Sequence, residues 1–192
     1  MNHYTHPQTA LALAVIYRSR CADGIQPIRA VGAFRVALGS GEDVAFERHH
    51  FSYQHDDLLG PIADMHSLVD HRTDCLVNLG RALHGSALRP GDDRLIRAQR
   101  RAFPIRDQHR HRLAHYIAAS ERVLTVISRS YDIELAAPDT GEAVQAARAP
   151  QRAQAIWLAW LTGVLSEDPQ HRTILAAFRA WRQLERARPI PF

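Results

Sequence analysis

Apolar residues dominate the stretch from Thr9 to Arg18, where Leu11-Ala-Leu-Ala-Val-Ile16 runs between Pro7 and the turn-forming Asp23-Gly24. A short continuous apolar run of this kind predicts a buried strand, although its composition also allows a short helix. Residues 28–38 predict a second strand, and Gly39-Ser-Gly-Glu-Asp43 a hairpin turn. Val44–Tyr53 follows as a third strand with Val44, Phe46, Phe51 and Tyr53 apolar. The alternation changes parity near His49-His50, which a bulge would absorb. Three strands joined by turns predict an antiparallel meander.

Beyond Tyr53 the periodicity turns mostly helical. Leu58, Leu59, Ile62, Met65, Leu68 and Val69 fall close to helical spacing across 56–70. Asp74-Cys-Leu-Val-Asn78 predicts a fourth strand, and Gly85 to Gly91, with Pro90, a loop. Residues 94–101 predict a helix with Asp92-Asp93 at its positive end. Pro104 breaks the chain before Ile105-Arg-Asp107, a brief fifth strand. Residues 109–119 and 121–131 are amphipathic, and Ser120 is placed to cap the second as a helix. After a Pro/Gly loop at 136–142, an apolar helix spans 151–165 with Pro150 suited to its first turn. A last helix spans 170–187, with Ile174, Leu175, Phe178, Trp181 and Leu184 on one face.

With 192 residues, 46% of them hydrophobic, the chain is long enough to bury a substantial core. No internal repeat or domain boundary interrupts it. All 24 basic residues are arginine, for a formal charge of +4. Anionic partners are therefore favoured without being required. An all-arginine complement fits either a GC-rich coding sequence or bidentate phosphate contacts. Cys21 and Cys75 do not make a disulfide framework. The apolar run at 9–16 is too short to span a membrane. The first residues, Met1-Asn-His-Tyr-Thr-His6, lack the pattern of a signal peptide, so a cytoplasmic location is expected.

Three stretches in order carry a resemblance to a known family. They are Ile16–Val36, with its Val31-Gly32-Ala-Phe-Arg-Val36 strand; Thr73-Asp-Cys-Leu-Val77; and Leu124–Leu135 followed by the apolar helix at 151–161. Together they resemble the proofreading (DEDD-type) 3′-5′ exonucleases. The resemblance implies an α/β fold: a ribonuclease-H-like mixed sheet, with a three-stranded antiparallel meander plus parallel strands, flanking helices and a helical C-terminal extension. Residues 1–165 would form the exonuclease-like domain, with 166–192 packed on it as a C-terminal helix of the same domain. Members of that family hold two divalent ions, Mg or Mn, with four carboxylates that activate water and stabilise the leaving oxygen. Here the first two carboxylate positions map to Tyr17 and Ser19, and the third falls near Leu83-His84. The final base and Asp map to Gln145–Pro150, which offers no carboxylate. Only a shifted alignment would bring in Asp23, Asp139 or Glu142. The expectation is a non-catalytic module with no resident cofactor, binding nucleic acid or a protein.

Other clusters offer alternatives. His55, Asp56, Asp57, His66, Asp70 and His71 gather His and Asp donors, with His66 and Asp70 spaced to share a helix face. These residues would suit a metal-dependent nuclease or phosphohydrolase with a rearranged site, and equally a solvated helix and loop. His111 and His115 share the same spacing, but Arg112 stands where a zinc-hydrolase helix needs Glu. Arg94, Arg97 and Arg101, continued by Arg106 and Arg110, form a stripe able to track a phosphate backbone or simply to face water. Trp157, Trp160 and Trp181 predict either helix packing or a face for a partner or a second copy of the chain. No nucleophile elbow, phosphate-binding glycine loop or kinase signature is present.

Overall fold

The computed structural model describes residues 8–19, 27–40, 43–54, 60–68, 75–79, 114–117, 121–137, 139–166 and 168–187. They form a mixed α/β fold. Strands β1 (Thr9–Tyr17), β2 (Ile28–Leu38) and β3 (Val44–Ser52) make an antiparallel meander. Two short strands, β4 (Cys75–Leu79) and β5 (Ala114–Ile117), pair in parallel on the other side of β1. The sheet order is β3-β2-β1-β4-β5. Helix α1 is Gly60–Leu68, α2 Glu121–Ser130, α3 Glu142–Ala147, α4 Ala149–Val164 and α5 His171–Ala187.

β1 reads as a continuous apolar run because both of its faces are covered. Ala10, Ala12 and Ala14 face the core that contains α4 and α5, together with Phe34 and Val36 of β2. Leu11 and Leu13 enter a second core with Val31, Ala33, Tyr53 and Leu68 of α1. The small residues lie on the α4 side for a reason. A Cβ on Gly32 would sit 2.1 Å from the Ala149 carbonyl carbon and 2.4 Å from the Pro150 nitrogen. The backbones of β2 and the first turn of α4 touch, and only glycine permits that approach.

α4 is apolar almost all round because it is central. From Ala153 through Leu161 every residue is buried, including Gln154. Trp157 packs edge-on against Phe34 at 5.4 Å between ring centres, and against Phe178 of α5 at the same distance. Phe46 of β3 meets Phe178 at 5.7 Å and Trp181 at 5.4 Å. The tryptophan face is thus used within the chain: Trp157 and Trp160 are fully buried and Trp181 packs on the same core. Of the two readings of these tryptophans, helix packing is the one the fold uses.

Two expectations change. The β2–β3 register runs unbroken from Ala30↔Ser52 to Leu38↔Val44, so no bulge occurs at His49-His50. The parity change arises because Phe46 and Phe51 serve opposite faces of the sheet, each with its own core. The irregularity lies instead between Ile16 and Tyr17 in the β1–β2 pairing. Within 109–119, residues 114–117 form β5 rather than helix, because parallel pairing with β4 overrides local spacing. The helix expected at 94–101 and the strand at 105–107 lie outside the described residues.

α2 ends in a Schellman turn. The Ile133 N–H donates to the Ser128 carbonyl at 2.8 Å and that of Asp132 to Arg129 at 3.3 Å. Asp132 stands in the left-handed region, φ 50°. Arg182 and Arg186 of α5 donate to its carbonyl, and Arg186 also pairs with its carboxylate.

Candidate functional site at the end of β1

The described parts of the expected site converge where β1 leaves the sheet. The Arg18 N–H donates to the Pro27 carbonyl at 2.8 Å, and its guanidinium Nη2 to the Tyr53 carbonyl at 2.6 Å. These contacts fix the chain between Tyr17 and Ser19. Ser19 then donates twice to one carboxylate oxygen, Glu142 Oε1: from its backbone N–H at 2.6 Å and from Oγ at 2.5 Å. Arg29 Nη1 lies 3.8 Å from the other oxygen. Glu142 opens α3, so one carboxylate ties the end of β1 to a helix 123 residues further along the chain.

Hydrogen bonds from the Ser19 hydroxyl, then from its backbone N–H, hold the Glu142 carboxyl below the usual glutamate range, with Arg29 and Arg18 adding to the effect. Tyr17 is shifted the other way: burial raises its phenol above the ordinary value, so it stays protonated and able to donate.

Beside Tyr17 lies a cavity of about 360 Å³. Its apolar wall comes from Val15 and from Leu135, Ala136 and Ala137 after α2; Gln145, Arg148 and Arg152 supply its polar rim with Glu121. Gln145 Nε2 donates to the Thr140 carbonyl at 3.0 Å. Arg148 pairs with Glu134 at 2.7 Å, and Arg152 holds Glu121 through both terminal nitrogens. The structure therefore brings Tyr17 together with Gln145 and Arg148, 128 and more residues apart in sequence.

A two-metal centre does not fit these residues. Hard divalent ions need converging carboxylate oxygens. The end of β1 offers two neutral hydroxyls instead. The carboxylates nearby, Glu121, Glu134 and Glu142, each face an arginine. Among the described residues no three His, Cys, Asp or Glu side chains gather in a metal-holding group.

Of the sequence-derived candidates, His84 and the arginine stripe Arg94, Arg97, Arg101, Arg106 and Arg110 lie outside the described residues, as do His55, Asp57, Asp70 and His71. His66 falls on α1, with its side chain outside the description. Glu142, Arg148 and Arg152 are the functional candidates that residue patterns underweighted. Their partners sit on other elements, so local spacing carries little sign of them. No helix among the described residues is long and apolar enough to cross a membrane. No protein-family model matches the chain, and no curated protein matches it.

Proposed function

We propose that this chain is a non-catalytic member of the exonuclease-like group, a ribonuclease-H-like module that binds nucleic acid without cutting it. The scaffold reading is supported by the sheet order β3-β2-β1-β4-β5, with an antiparallel meander on one side of β1 and parallel strands on the other. In open sheets with parallel strands, ligands bind beyond the carboxyl ends of those strands. The cavity lies there, beside Val15–Tyr17.

The observation that carries the non-catalytic reading is the Ser19–Glu142–Arg29 cluster. Where the group would place its first metal-binding carboxylates, Ser19 offers donors, and the nearby glutamate is already engaged by them. The arginines around this end, Arg18, Arg29, Arg148 and Arg152, favour an anion over a cation.

The test is fluorescence polarisation of a 5′-labelled single-stranded oligonucleotide with Mn²⁺, followed for about an hour. A rise that persists, and that weakens steeply with added salt, is expected for phosphate binding without turnover. A signal that rises and then decays means that the strand is cut, and overturns the non-catalytic reading. No change removes nucleic acid as the ligand.

A further inference from the structure

We infer, building on the reading just given, that the cavity beside β1 is a metal-independent anion site in which Arg148 and Arg152 hold a phosphate monoester of nucleotide size. Three features lead there. The first is charge. Arg148 and Arg152 are four residues apart at the start of α4, so they share a helix face, and both line the cavity. They bring two guanidinium groups to a cavity whose lining holds one carboxylate, Glu121.

The second is availability. A guanidinium carries five N–H donors. Glu134 meets Arg148 at Nη2, and Glu121 takes one bond from each terminal nitrogen of Arg152, which leaves donors on both forks. The two glutamates keep the forks oriented rather than consuming them. Planar forks held in this way match the oxygens of a phosphate monoester.

The third is shape. A volume of about 360 Å³ falls at the lower end of small-ligand pockets, roughly 300–1,000 Å³. Bare phosphate would leave most of it unfilled. The wall of Val15, Leu135, Ala136 and Ala137 is apolar and suits a flat organic body. Tyr17 and Gln145 add two residues with polar side chains to its lining. A nucleoside monophosphate supplies both parts, an anion for the arginines and a base for the wall.

The test is calorimetric titration of the full chain with AMP in EDTA, alongside adenosine and inorganic phosphate, and repeated with the oligonucleotide. AMP is expected to bind in EDTA with a Kd below roughly 1 mM, and each half-ligand at least about tenfold more weakly. Arg148→Gln and Arg152→Gln should each weaken AMP at least about tenfold, and Arg152→Lys should not restore it, because lysine lacks the fork. Unchanged circular dichroism of each variant separates lost binding from lost folding.

AMP binding that requires Mg²⁺ or Mn²⁺, or that ignores both arginine changes, overturns the inference. If the oligonucleotide binds while AMP does not, the cavity assignment fails and the nucleic-acid reading stands. If AMP binds while the oligonucleotide does not, the cavity assignment stands and the nucleic-acid reading fails.

Discussion

The α4 face of the sheet and the open end of β1 are built from different forces, although α4 takes part in both. On the sheet face, contact is apolar and close: Gly32 against Ala149 and Pro150, Trp157 against Phe34 and Phe178. At the end of β1, half-exposed ion pairs and hydrogen bonds hold the residues, with arginines meeting Glu121, Glu134 and Glu142. Exposed pairs contribute about 0–1 kcal/mol each, whereas a buried aromatic contributes several. The first region therefore fixes where α4 lies. The second region sets what its first turns present, at little consequence for stability, and is free to change chemistry without unfolding the chain.

That contrast breaks most directly at Trp157. Trp157→Ala leaves a cavity among Phe34, Phe46 and Phe178 and is expected to cost about 3–5 kcal/mol in urea unfolding. Gly32→Ala tests the closest contact. Its methyl group would overlap the Ala149–Pro150 backbone, so strand or helix must shift, with an expected loss of about 1–3 kcal/mol. A loss under about 0.5 kcal/mol would show that α4 sits further from β2 than described.

Gln154→Leu should move stability the other way. Gln154 is fully buried, and among the described residues neither its oxygen nor its nitrogen has a hydrogen-bond partner. An apolar side chain of similar size removes that desolvation penalty, for a gain on the order of 1 kcal/mol. Destabilisation by the same substitution would reveal a partner for the amide.

At the end of β1 the effects are smaller. Ser19→Ala removes the principal cause of the lowered Glu142 pKa, so the carboxyl should titrate closer to the ordinary glutamate range in a carbon-13 NMR titration. The sign follows from linkage. A carboxyl whose folded pKa is depressed stabilises the fold above its unfolded value, about 4.3, and loses that contribution as pH falls through the folded pKa. Wild-type stability should thus fall more than that of Ser19→Ala as pH drops below about 5. Equal slopes would mean that the Ser19–Glu142 contact does not persist in solution.

The same division explains what was legible in the sequence. Leu11–Ile16 announces a buried strand because burial leaves a composition that one short window contains. Trp157 and Trp160 announce a core helix likewise. β5 was not legible, because Ala114–Ile117 becomes a strand only by pairing with Leu76–Leu79, a nonlocal contact. The site was half legible. Tyr17 and Ser19 are read directly from the end of β1, and their lack of carboxylate is plain. The contact of Ser19 with Glu142, and the placing of Tyr17 and Arg148 around one cavity, depend on where α3 and α4 land, and such long-range placement leaves no periodic trace.

The backbone contact at Gly32 reaches beyond stability. Positions 32 and 149–150 form a lock that admits almost no drift: a side chain at 32 is excluded by the helix, and the helix start is placed by the absence of that side chain. Surface arginines and glutamates are free to interchange as ligands change. A side chain at position 32 could therefore enter only together with a shift of the residues that begin the central helix, so the two positions can change only as a pair.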